Sequence, residues 1–66
     1  MKLKNYLLYK NLTISAFAKG IEVSQPFISL IISGNRTPSP KMAKKISDGA
    51  NGEVTVLELL FPDNTQ

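Results

Sequence analysis

Residues 14–38 read ISAFAKGIEVSQPFISLIISGNRTP, and the architecture follows from this stretch. Ile14, Phe17, Ala18 and Ile21 recur at the spacing that places apolar side chains along one stripe of a helix. Thr13, just before them, has the side-chain oxygen that an N-cap requires. Gly20 to Val23 reads as the end of that helix and a tight turn. Ser24 opens the next helix as its N-cap, and Pro26 sits in the first turn, where a missing N–H costs little. Gly34, after Ser33, supplies a left-handed stop. The stretch therefore predicts two short helices joined by a tight turn between Ile21 and Ser24.

Each residue of the second helix advances about 100° around its axis. Phe27, Ile28 and Ile31 then fall on one side, with Ile32 also assigned to the core. Pro26, Ser29 and Ser33 fall opposite, flanked by Gln25 and Leu30. This outer side carries small or uncharged side chains and no acid, so it can enter a phosphate-lined groove without repulsion. An amide such as that of Gln25 can contact adenine in bidentate fashion, and an aliphatic side chain can cover a thymine methyl.

Upstream, Met1 to Asn11 reads as a helix with Leu3, Tyr6 and Leu7 inward and lysines outward. Downstream, Asn35 to Pro38 forms a loop. Ser39 caps a further helix, with Pro40 at its first position and Gly49 past its end. Residues 53–61 admit two readings. Val54, Thr55 and Val56 favour a strand, whereas Thr55-Val-Leu-Glu58 fits a capping box and favours a short helix. We take the helix as the leading expectation. Pro62 ends the segment in either case, and residues 62–66 are expected to fray. The expected fold is all-α, one domain over residues 1–66 and a bundle of about five short helices, with α+β bearing a C-terminal β-hairpin as the alternative.

Sixty-six residues hold one modest core. Cysteine and histidine are both absent, which removes disulfides, thiolate metal sites and the commonest general base. Ser, Lys and Glu nowhere pair at a spacing that gives a nucleophile its base, so neither catalytic residues nor a small-molecule substrate are expected. No metal or cofactor is expected either. No apolar run approaches a membrane span or a secretory signal, and a cytoplasmic protein is the expectation. The charge is polarised. Residues 1–47 carry eight basic side chains against the single acid Glu22, +7, while residues 48–66 carry four acids and no base, −4. A basic body suits a polyanionic partner on one side of the molecule.

The stretch from Ile14 to Pro38 resembles the helix-turn-helix of the Cro and repressor-type family, the lambda-repressor-like DNA-binding domain. Ala18 matches the small residue where the two helices cross. Phe17, Ile21, Val23, Ile28 and Ile31 match the buried positions, and Ser24-Gln25 matches the start of the recognition helix. Lys44-Lys45-Ile46 and Gly52 to Thr55 resemble the later helices of Cro-like prophage proteins. One position departs: the turn residue usually held by glycine is Glu22, where a positive φ is expected.

The resemblance implies a transcription regulator, a Cro-like repressor of phage or prophage type that binds a palindromic double-stranded DNA operator as a homodimer. It makes Gln25, Pro26, Ser29 and Leu30 the base readers. Ser15, Ser24, Asn35, Arg36, Thr37, Lys41 and Lys44 become the phosphate contacts. Lys2, Lys4, Lys19 and Lys45 are expected only to add to the field. The alternative is an antitoxin or anti-repressor that holds a protein partner through the same fold. Its motive is the apolar surplus of Val56, Leu57, Leu59, Leu60 and Phe61.

Overall fold

Local chemistry at the helix starts divides the chain. The computed structural model describes residues 1–61, and these form five α-helices: α1 (Leu3–Lys10), α2 (Ile14–Gly20), α3 (Gln25–Ser33), α4 (Pro40–Gly49) and α5 (Val56–Leu60). The expectations for Pro62 and residues 62–66 lie outside the described residues. Thr13 caps α2 by accepting from the Ala16 amide, and Ser39 caps α4 by accepting from Met42. Thr55 and Glu58 form the reciprocal capping box of α5. That box settles the segment as a short helix, Val56–Leu60, and among the described residues there is no strand.

Two expected boundaries move. The first helix is shorter than Met1 to Asn11, because Lys2 is extended and Asn11 adopts the left-handed conformation at φ 56°. Gly49 does not lie past α4 but is its last helical residue. The left-handed residues that end this region are Asn51 and Gly52, at φ 55° and 78°. Gly49 answers a different need: a Cβ there would overlap the Ile21 Cγ2 methyl at the end of α2. In an unobstructed helix, Gly→Ala gains about 1 kcal/mol. Here the sign should reverse, because Ile21 is β-branched and stiff. We expect Gly49→Ala to destabilise by about 1–2 kcal/mol through overpacking, measured by urea denaturation. A raised midpoint would show that Ile21 moves aside freely.

The core draws on every helix. Leu3, Tyr6 and Leu7 of α1 join Phe17 and Ala18 of α2, Ile28 of α3, Ala43 and Ile46 of α4, and Leu59 of α5, with Ala50 and Val54 between the last two. Tyr6 and Phe17 meet edge to face, with ring centroids 6.1 Å apart. α2 packs on α3 and α4 on α5. None of the described helices is long and apolar enough to cross a membrane.

One polar contact closes the bundle. The Met1 ammonium donates to Glu58 Oε1 at 2.6 Å and to the Glu53 carbonyl at 3.0 Å. The same Oε1 accepts from the Thr55 amide and hydroxyl. The Met1 ammonium above all, helped by Thr55 and opposed by desolvation, holds the Glu58 carboxyl below the usual carboxylate range. A depressed folded-state pKa adds stability that is present above that range and lost as pH falls through it. Glu58→Gln should therefore cost about 1 kcal/mol near neutral pH, with the gap to wild type closing under acid, as denaturant midpoints at several pH values will read. A gap independent of pH would refute the ion-pair account.

Candidate nucleic-acid interface

α3 is amphipathic without a single charged side chain. Ile28 is fully buried, while Phe27, Ile31 and Ile32 are half-buried against the core. The opposite flank, formed by Gln25, Pro26, Ser29 and Ser33, is exposed, and Leu30 beside it is 41% exposed. All four predicted base readers thus stand together on one outward strip, unobstructed by the rest of the described chain.

The turn that aims this strip is held by three backbone bonds: Ile21 to the Phe17 carbonyl, Glu22 to Lys19 and Val23 to Ala18. Ala18 is 1% exposed, and its carbonyl accepts from the Val23 amide at 2.9 Å. Glu22 takes φ 59°, as expected for the residue that stands in glycine's place. For a residue with a Cβ this costs about 1 kcal/mol, which the backbone bonds of the turn offset.

Ser24 departs from its expected capping role. It occupies the N-cap with extended backbone, but its hydroxyl makes no capping bond. Pro26 holds the first turn instead through its fixed φ and lack of an N–H. The Ser24 hydroxyl is therefore not spent inside the helix, unlike those of Thr13, Ser39 and Thr55.

Beyond α3, Gly34 at φ 84° turns the chain, and the amides of Asn35 and Arg36 both return to the Leu30 carbonyl. The Arg36 guanidinium lies over the Phe27 ring, 5.2 Å from its centroid, which restrains it beside the α3 flank. Asn35 Nδ2 donates to Ser33 Oγ, so part of its amide is engaged in shaping the loop. Thr37 is exposed, and buried Pro38 anchors the loop to the core.

The remaining predicted phosphate contacts are exposed side chains on other elements. Ser15 stands in the first turn of α2, and Lys41 and Lys44 stand on α4. Lys44 pairs with Asp48 at 3.5 Å, but with the two side chains 74% and 71% exposed the pair is weak and readily exchanged. No group of three or more acidic side chains among the described residues is placed to hold a metal ion.

A family model described as "Helix-turn-helix" matches residues 3–57. No curated protein and no solved structure matches the chain.

Proposed function

The chain belongs to the helix-turn-helix family, a family of DNA-binding transcription regulators, and from that premise we propose a Cro-like repressor that binds a palindromic operator as a homodimer with α3 in the major groove. The observation that carries this reading is the exposed, uncharged strip of Gln25, Pro26, Ser29 and Leu30. It runs from the start of α3, where recognition helices usually meet base edges. Ser24, Asn35, Arg36 and Thr37 flank it as phosphate contacts, and Ser15, Lys41 and Lys44 extend the backbone grip. Affinity then rests largely on phosphate neutralisation and falls steeply with salt. Such a regulator, of phage or prophage type, works in the cytoplasm of a bacterial host.

Two side chains support the dimer. Leu57 and Phe61 remain 68% and 52% exposed at the end of the bundle, although Leu59 beside them is buried. A second copy would cover them, in an interface that is weak or forms on DNA. The same residues favour the second reading, an antitoxin or anti-repressor whose partner is a protein.

Selection of bound sites from random duplexes tests the proposal. A palindrome is expected, with half-sites about one helical turn, roughly 10 base pairs, apart. Flat gel-shift behaviour over random and genomic DNA at low salt would shift the assignment to the protein-binding module.

A further inference from the structure

A groove of about 330 Å³ opens between the start of α1 and the loop after α3, over an apolar floor from α3 and α5. Its rim brings Lys2, Lys4 and Asn5 to the same opening as Arg36 and Thr37. The one carboxylate on the rim is Glu58. That carboxylate is already taken up by the Met1 ammonium and by Thr55, so it does little to offset the cations. Lys2, Lys4 and Arg36 form no ion pair within the described residues, whereas Lys10 and Lys44 do. Among the described residues the groove therefore presents three uncompensated cations, and one of them, Arg36, with Thr37, already belongs to the loop beside the proposed reading strip.

We propose that Lys2 and Lys4 grip the DNA backbone at this groove, extending the phosphate contact of the α3–α4 loop across to α1. This assigns a direct role to two lysines that sequence alone places only in the general field. It rests on the DNA-binding reading. The groove, not net charge, distinguishes these two from Lys19 and Lys45, which lie outside it.

Paired charge-removal variants of the full chain separate the cases. Fluorescence anisotropy of a labelled duplex carrying the selected palindrome is followed from about 50 to 200 mM salt. Each phosphate contact contributes about 0.9 to the slope of log affinity against log salt. Because two protomers occupy the palindrome, Lys2→Ala/Lys4→Ala removes four contacts and should lower the magnitude of that slope by about 3.6, and Lys19→Ala/Lys45→Ala, with the same charge lost, should leave it nearly unchanged. The groove lysines are exposed and make no side-chain hydrogen bond among the described residues, so thermal melts of both variants should match wild type. Equal slope changes in the two variants would return Lys2 and Lys4 to the general field. Saturable binding of inorganic pyrophosphate that Lys2→Ala/Lys4→Ala abolishes, with the DNA slope intact, would make the groove a small-anion site and overturn the proposal. A wild-type chain that binds no duplex would instead remove the DNA reading itself.

Discussion

Ile28→Ala is expected to destabilise the protein by about 3–4 kcal/mol, enough to leave most molecules unfolded at physiological temperature. Ile28 is fully buried at the centre of α3. Truncating such a side chain removes its transfer free energy and leaves a cavity that a close-packed core closes only in part. A single core in a chain this short rarely supplies more than about 3–5 kcal/mol of net stability, so the loss approaches the whole. Urea denaturation followed by circular dichroism reads the effect. DNA binding should fall with the folded fraction and recover when conditions refold the variant. A loss below about 1 kcal/mol would mean that α3 does not seat against the core as described.

Gln25→Ala should do the opposite, leaving stability within about 0.5 kcal/mol while redistributing sequence preference. Its side chain is exposed and makes no hydrogen bond within the described residues, so truncation removes nothing from the fold. On a mapped operator the base that faces Gln25 should lose about 1–3 kcal/mol of discrimination if the amide contact is bidentate, with other positions unchanged. Competition binding against single-base variants of the operator measures it. Arg36→Ala provides the contrast, weakening every duplex alike because a phosphate contact carries no sequence information. Unchanged preference on removal of Gln25 would dismiss α3 as the reading element.

Much of the architecture was legible because it depends on near neighbours. Thr13, Ser39 and the Thr55–Glu58 pair declare helix starts through bonds that span only three residues. Gly34 declares a stop through its own backbone freedom, and Glu22 could be anticipated in a left-handed turn from the family resemblance. What escaped depends on distant parts of the chain. Gly49 looks like a terminator, yet its lack of a side chain serves the close approach of Ile21 from α2. Ser24 looks like a cap by residue type, but its rotamer forms no such bond. The exposed strip of α3 emerged from helical periodicity, since three- and four-residue spacing fixes which side of the helix is wet. The groove did not, because Lys2 and Lys4 share an opening with Arg36 only through tertiary placement of the start of α1.

The Met1 contact to Glu53 and Glu58 ties the segment before α1 to the start of α5, so these two parts of the described chain steady each other. α5 has only five residues and cannot persist by itself. Loss of the Met1 contact should therefore loosen α5, which is otherwise held by α4 and by buried Leu59. Amide protons in α5 should then exchange faster when that contact is broken, and a partner clasping the amino terminus would slow them by thermodynamic linkage.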